Sequence, residues 1–257
     1  MQIVVAPDRE AIGRFVSERA AEILRDCLAN QESCHLVVAT GSSQFEVLDN
    51  LVQQPDIDWR RVHGFHLDEY LGIAQDHSAS FVGYLKSRFA DKLPLASFFF
   101  MDGLQPAAEL QREASAAIAG KDIDLLLCGI GENGHLAFND PPANFDASEP
   151  YLIVELDEAC RRQQVGEGWF DSLTDVPTQA ISMSIRQIMS AKRILCTVPD
   201  RRKAEAVRDT VEGSVTPQVP ASILQQHPQT TLILDASSSS LLTPNTLATC
   251  QHLESSN

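Results

Sequence analysis

The sequence predicts an α/β fold in which helices cover both faces of a mostly parallel β-sheet. Short apolar segments typical of buried strands alternate with segments of helical periodicity along most of the 257 residues. Polar and reactive side chains directly follow several of these strands. Because open parallel sheets bind ligands beyond the carboxyl ends of their strands, these following residues are the candidates for function.

Each element follows from the spacing of apolar side chains. Helical spacing begins after Pro7-Asp8, and a buried strand at 34–39 precedes a second helix at 45–52. The remaining strands are predicted at 62–67, 97–101, 123–128, 152–156, 194–198 and 231–234, and the remaining helices at 81–89, 107–119 and 201–211. No repeat or change of composition divides the chain. We therefore expect a single domain over residues 1–257, with a polar, loosely held tail from about residue 243.

Composition and charge limit the classes of function. The formal net charge is −15, which argues against nucleic acid and anionic membrane surfaces as partners because both require a basic face. A small anionic substrate is compatible with this charge if positive groups are concentrated locally. The N-terminal segment lacks the pattern of a signal peptide, no apolar stretch reaches about 18 residues, and the six cysteines form no CxxC pair. The sequence therefore predicts a cytoplasmic protein with reduced thiols.

Two segments are candidates for binding an anion. Thr40-Gly41-Ser42-Ser43 lies between a predicted strand and a predicted helix, where hydroxyl groups and free backbone N–H groups bind anions. The alternative is an ordinary turn in which Ser42 or Ser43 caps the helix. Lys203 begins another predicted helix after a strand. A lysine there is usually solvated, but Arg201-Arg202-Lys203 concentrates positive charge in an acidic chain and could hold a phosphate.

Asp68 is a candidate general base. It follows the strand-like run at 62–67, and strand alternation places His66 and Asp68 on the side opposite Leu67. Partial desolvation at the end of a buried strand would set the pKa of such a carboxylate. The alternative is an acidic residue that caps the following turn.

The segment Gly129-Ile-Gly-Glu-Asn-Gly134 matches the dinucleotide-binding pattern GxGxxG. It lies halfway along the chain, however, and Pro141-Pro142 cuts short the helix that a dinucleotide site requires. We expect instead that Gly129 and its neighbours let the backbone approach a ligand, and that they carry His135 and Asp140 to the mouth of the sheet. An imidazole beside a carboxylate is a proton-transfer pair. The histidines lack the spacing of metal ligands, so no metal site is predicted.

Together these segments resemble the glucosamine-6-phosphate deaminase/isomerase family. The resemblance covers nearly the whole chain. Its most specific parts are Phe65-His-Leu-Asp-Glu-Tyr-Leu-Gly72, with His77, and Gly129-Ile-Gly-Glu-Asn-Gly-His-Leu-Ala-Phe-Asn-Asp-Pro141. The 6-phosphogluconolactonases share the sheet and a glycine–histidine loop, but Ala137-Phe138-Asn139 after the histidine favours the deaminase branch.

The resemblance implies a Rossmann-like sheet and conversion of an amino-sugar 6-phosphate into a ketose 6-phosphate and ammonia, without a metal or redox cofactor. It implies that Asp68 moves a proton between C2 and C1 of the sugar. His135, supported by Asn133 and Asp140, would assist ring opening. The phosphate would be held by Thr40, Gly41, Ser42, Ser43, Gly129 and Lys203. A homo-oligomer is compatible with the resemblance, because family members occur both as monomers and as larger assemblies.

Three departures from the family's pattern concern the site. Asn133 stands where the family usually has an aspartate; it can accept a hydrogen bond from the imidazole but cannot stabilise an imidazolium by charge, and Glu132 is a candidate substitute. Asp140 replaces a glutamate and is one methylene shorter, which puts its reach in question. The family's phosphate-binding arginine, just before an aromatic pair, is absent, so either Arg161 or Arg162 compensates or the substrate binds differently.

Three hypotheses follow. The leading one is deamination of an amino-sugar phosphate, with glucosamine 6-phosphate as the first candidate. The second is a related enzyme that acts on galactosamine 6-phosphate or a lactone, and the third is a non-catalytic sugar-phosphate sensor. The presence of Asp68, His135 and Asp140 favours an enzyme, because a sensor has little need of all three.

Overall fold

The computed structural model describes residues 1–254 and contains eleven strands among them. The strands are β1 (Gln2–Ala6), β2 (Cys34–Val38), β3 (Val62–His66), β4 (Asp68–Tyr70), β5 (Ser97–Phe98), β6 (Leu125–Cys128), β7 (Tyr151–Glu155), β8 (Gln179–Met183), β9 (Ile194–Val198), β10 (Thr230–Asp235) and β11 (Gln251–His252). The α-helices are α1 (Arg9–Asn30), α2 (Phe45–Leu51), α3 (Phe81–Arg88), α4 (Ala107–Ile118), α5 (Glu158–Gly166), α6 (Ile185–Met189), α7 (Ala204–Glu212) and α8 (Pro244–Leu247).

The main sheet has eight parallel strands in the order β11-β1-β10-β9-β6-β2-β3-β5. Its central strands are buried on both faces because alternate side chains enter two separate apolar clusters. In β2, Leu36 and Val38 pack with α1 and α2, whereas Val37 packs with α4 and α7 on the opposite face. The predicted α/β fold, with helices on both faces of a mostly parallel sheet, is confirmed.

Helix α1 begins where the sequence predicts. The carboxylate of Asp8 accepts a hydrogen bond from the backbone N–H of Ala11 at 2.7 Å, which satisfies one of the free donors at the helix N-terminus. A stripe of apolar residues that includes Ile12, Val16 and Leu24 is buried against the sheet. The start of α1 also places Arg9 beside the carboxyl ends of the strands.

A second, smaller sheet was not predicted. Strands β4, β8 and β7 form an antiparallel sheet in that order, so the expectation that the run at 152–156 belongs to the parallel sheet is wrong. The chain changes sheets at Leu67, whose N–H donates to Val38 in the main sheet and whose carbonyl accepts from Met183 in the second. Asp68 therefore begins a new strand instead of ending β3.

The expected loose tail is also wrong for residues 243–254. Thr243 caps α8 through its side chain, and β11 then pairs in parallel with β1. The N–H of Leu253 donates to Val5 at 2.9 Å. Without β11, β1 would be an edge strand with unpaired backbone groups, which explains why a polar segment is ordered there. Within residues 1–254, no helix combines the length and apolarity needed to cross a bilayer.

Candidate active site

A cleft of about 820 Å³, partly open to solvent, lies beyond the carboxyl ends of β2, β6 and β9. These three strands are neighbours in the main sheet, so the residues that follow them meet at one edge. Most of the sequence-predicted site residues line this cleft: Thr40, Gly41, Ser42, Ser43, Asp68, Gly129, His135 and Lys203. The other two, Asn133 and Asp140, lie next to His135 and contact it.

Asp68 lies at the wall of the cleft and is 7% exposed. Burial raises the pKa of its carboxyl group to about 8, and the neighbouring negative charge of Glu69 contributes in the same direction. A carboxyl group with a pKa this close to neutrality can both accept and return a proton under physiological conditions.

Glu69 is the next residue in the same strand, but unlike Asp68 it has a structural role. Its carboxylate accepts hydrogen bonds from the hydroxyl of Ser80 and from the backbone N–H groups of Tyr70, Phe81 and Val82. Burial raises the pKa of Glu69, and these hydrogen bonds oppose that increase. Glu69 therefore caps the N-terminus of α3, which carries Phe81 into the lining of the cleft.

His66 holds the backbone next to Asp68. Its Nδ1 lies 2.9 Å from the carbonyl oxygen of Asp68, and its Nε2 accepts a hydrogen bond from the N–H of Met101 at 3.0 Å. Burial lowers the pKa of His66 to about 4, so the ring is neutral near pH 7 and donates through Nδ1. His66 thus fixes the point at which the chain passes from the main sheet to the second sheet.

His135 forms the expected pair with Asp140. Its Nδ1 lies 2.9 Å from Oδ1 of Asp140, so the shorter aspartate side chain does reach the ring. Burial alone would raise the pKa of Asp140, but the hydrogen bonds from His135 and Asn133 outweigh burial and hold the pKa below its usual range. An ionised Asp140 fixes the ring with Nδ1 protonated and leaves Nε2 to act on a ligand.

Asn133 supports this pair in a different way from the one expected. Its side-chain oxygen accepts a hydrogen bond from the backbone N–H of His135 at 3.1 Å, and its amide donates to Asp140 at 3.0 Å. It therefore does not accept from the imidazole. Glu132 is no substitute, because it lies 3.6 Å from the guanidinium of Arg202.

The glycines after β6 provide space for these side chains. A Cβ atom on Gly131 would lie 2.3 Å from the ring of His135, and one on Gly129 would lie 2.8 Å from Oγ of Ser43. Gly134 has a φ of +84°, which disfavours other residues. The GxGxxG pattern here accommodates a histidine ring and a serine loop.

Two further groups of cleft residues form the candidate anion site. The hydroxyl loop at residues 40–43 lines the cleft, and neither Ser42 nor Ser43 caps the helix that follows. Lys203 also lines the cleft, and its ammonium group lies 3.5 Å from Oε1 of Glu167. Of the predicted basic cluster, Arg202 lines the cleft as well, whereas Arg201 is directed to Ser240.

The expectation that Arg161 or Arg162 replaces the missing arginine is wrong. Arg161 donates to the backbone carbonyls of Leu173 and Val176, and Arg162 pairs with Glu158 along α5. Neither residue lines the cleft. Side chains from other elements are found there instead, and sequence reasoning missed them: Arg9, Gln163, Gln164, Glu167 and Trp169.

Residues 7–233 match the model of the family described as glucosamine-6-phosphate isomerases/6-phosphogluconolactonase. The chain belongs to this family. Its relatives include the glucosamine-6-phosphate deaminase of Clostridium acetobutylicum, which is 34% identical over 94% of this chain and 100% of the relative. The deaminase of Streptococcus pneumoniae serotype 4 is 39% identical over 87% of this chain and 94% of its own length.

Solved structures of this family share the fold. A monomeric glucosamine-6-phosphate deaminase superposes with a TM-score of 0.86 and 28% identity, covering 94% of this chain and 100% of the other. The 6-phosphogluconolactonase of Thermotoga maritima gives a TM-score of 0.76 with 15% identity over 91% of this chain and 100% of its own. The second likeness concerns the fold alone.

Proposed function

We propose that the protein converts glucosamine 6-phosphate and water into fructose 6-phosphate and ammonia. The observation that carries this proposal is the meeting, in one cleft, of a carboxyl group with a raised pKa and a histidine–carboxylate pair. Relatives at 34–39% identity that bear the name glucosamine-6-phosphate deaminase support the same activity.

Ring opening is the first step of the proposed reaction and falls to His135. A proton must leave the hydroxyl on C1 and reach the ring oxygen, which opens the ring and leaves an aldehyde at C1. Nε2 of His135 carries this proton, because Asp140 holds the opposite nitrogen in the protonated form. Asn133 keeps Asp140 in place through its amide.

Asp68 performs the isomerisation. Its ionised carboxylate removes the proton from C2 and returns it to C1. In the same conversion the amino nitrogen gives up one proton and O1 takes one up, so that the aldehyde becomes an alcohol and the C–N bond at C2 becomes an imine. Water then adds to C2 and ammonia leaves, which yields the ketose. A carboxyl group with a pKa of about 8 is suited to this exchange because near that pH both its ionised form, which removes the C2 proton, and its protonated form, which returns it, are populated.

The phosphate is assigned to the hydroxyl loop at residues 40–43, to the backbone at Gly129 and to Lys203. All of these groups line the cleft, and a Cβ atom on Gly129 would lie 2.8 Å from Oγ of Ser43. Hydroxyl and backbone donors beside a single ammonium group form a site for one small anion, as expected for a strongly acidic chain that must concentrate its positive charge locally.

The direct test is incubation of purified, metal-free protein with glucosamine 6-phosphate while ammonia and fructose 6-phosphate are measured. We expect equal amounts of both products. The Asp68→Asn variant should bind substrate but lose at least about 100-fold in kcat, since general base catalysis contributes about 10²–10⁴. The absence of product from both glucosamine 6-phosphate and galactosamine 6-phosphate would contradict the proposal.

A further inference from the structure

Beside the lysine assigned to the phosphate, the cleft contains a carboxylate that the reaction does not use. Glu167 follows α5, and its side chain is only 9% exposed. Its Oε1 accepts a hydrogen bond from Gln163 at 2.8 Å and lies 3.5 Å from Nζ of Lys203, and its Oε2 accepts from Nε1 of Trp169 at 3.3 Å. Three donors thus hold this carboxylate against the lysine assigned to the phosphate.

The cationic side chains of the cleft already have carboxylate neighbours before any ligand enters. Three such side chains line the cleft, Arg9, Arg202 and Lys203. Arg202 already pairs with Asp200 at 3.0 Å. Arg9 likewise pairs with Glu46 at 3.3 Å. Each of the three cations therefore already has a carboxylate neighbour when a phosphate dianion arrives.

The Lys203–Glu167 pair differs from the other two in burial. The Lys203 side chain is 12% exposed, whereas those of Arg202 and Arg9 are 49% and 38% exposed. Solvent screens the two arginine pairs, and their interaction with a bound anion is correspondingly weak. The charge of Glu167 acts on Lys203 through a less polar environment, so it has a larger effect on an arriving anion.

We propose that Glu167 is an internal counter-ion that competes with the substrate's phosphate for Lys203 and thereby sets the affinity of the cleft for anions. The proposal rests on the function proposed above only for the assignment of Lys203 to the phosphate. The competition weakens binding of any phosphate-bearing ligand, including inorganic phosphate and the reaction product. Glu167 is thus an affinity-determining residue and takes no part in proton transfer.

The test is the Glu167→Gln variant, which keeps the shape of the side chain and removes its charge. We expect inorganic phosphate to bind about tenfold more tightly by isothermal titration calorimetry, a change of about 1.4 kcal/mol. KM for glucosamine 6-phosphate should fall without an increase in kcat. Unchanged or weaker phosphate binding in the variant would overturn the proposal.

Two controls separate competition from a general effect of charge. Glu158→Gln removes an exposed carboxylate of α5, the helix that Glu167 follows; this carboxylate pairs with Arg162, and its removal should leave phosphate affinity unchanged. Combining Glu167→Gln with Lys203→Met should abolish the gain, because the cation for which Glu167 competes is then absent. A gain that persists without Lys203 would refute the competition.

Phosphate binding distinguishes this proposal from the catalytic one. If the wild-type protein turned over no amino-sugar phosphate and Glu167→Gln still bound phosphate more tightly, the catalytic proposal would fail and the competition would stand. Should the glutamine variant not fold, as judged by its circular dichroism, Glu167→Ala provides the same removal of charge, and the same increase in phosphate affinity is expected.

Discussion

Asp68 and Glu69 show how two adjacent carboxyl groups acquire different environments. They point to opposite sides of a three-residue strand, so one meets the cleft and the other meets the N-terminus of α3. Asp68 was predictable because a carboxylate after an apolar strand is a recognisable pattern. The role of Glu69 depends on where α3 packs, which the local sequence does not encode. The same limit applies to Glu167, which reaches the cleft from a loop after a helix and contacts a lysine 36 residues away.

The raised pKa of Asp68 makes the protein's stability depend on pH. The folded state holds a proton on Asp68 up to a pH of about 8, whereas an unfolded aspartate loses it near a pH of about 4. In that window the folded state binds more protons, so this group's contribution to stability is present at low pH and is lost as the pH rises to about 8. In urea unfolding, the free energy of unfolding of Asp68→Asn should therefore increase relative to that of the wild type as the pH is raised from 5 to 8. A difference that stays constant with pH would contradict this.

At the scale of elements, the strands that were predicted well are those with continuous apolar runs. The run at 194–198 coincides with β9, and the run at 34–39 differs from β2 by one residue. Such strands are buried on both faces, and burial dictates their composition. The second sheet was missed because β4 has only three residues and β8 includes Gln179 and Ser182 among its five. Their pairing is determined by tertiary contacts, not by local periodicity.

The capping of α3 by Glu69 gives a prediction at this scale. Glu69→Ala leaves the backbone N–H groups of Phe81 and Val82 and the hydroxyl of Ser80 without their buried acceptor. We expect the free energy of unfolding to fall by about 3 kcal/mol or more, because each unsatisfied buried donor costs about 1–3 kcal/mol. The matched control Glu158→Ala, on an exposed pair, should cost less than about 1 kcal/mol. Equal losses in the two variants, measured by urea denaturation, would rule out the cap.

For the whole molecule, the sheet divides the apolar interior into a cluster beneath α1 and α2 and another beneath α4 and α7. The candidate active-site residues lie beyond the carboxyl ends of β2, β6 and β9 in this sheet. The strand that closes the far edge comes from the last described residues of the chain. Sequence composition did not reveal this closure, because Gln251 and His252 are polar and contribute backbone hydrogen bonds, with little apolar surface.

Removal of β11 should therefore destabilise the protein. Deleting residues 251–257 exposes the edge of β1 and removes the contact of Leu253 with the cluster beneath α1. We expect the free energy of unfolding to fall by about 2 kcal/mol, the sum of a few hydrogen bonds and one partly buried side chain. His252→Ala should change stability much less, because its side chain is exposed and its hydrogen bond to the carbonyl of Leu247 is open to solvent. A deletion with no effect on the urea midpoint would indicate that the segment is held loosely, as its composition suggested.

The space that Gly131 provides for His135 has a consequence for how the protein tolerates mutation. A Cβ atom at position 131 would overlap the imidazole at 2.3 Å, and one at position 129 would press on Ser43. In a saturation mutagenesis screen for growth on an amino sugar, these two glycines should therefore tolerate substitution as poorly as His135 itself, although neither carries a functional group. Selection for activity would preserve them together with the ring, and their fixed spacing would produce the appearance of a nucleotide-binding fingerprint in an enzyme that uses the space for its own side chain.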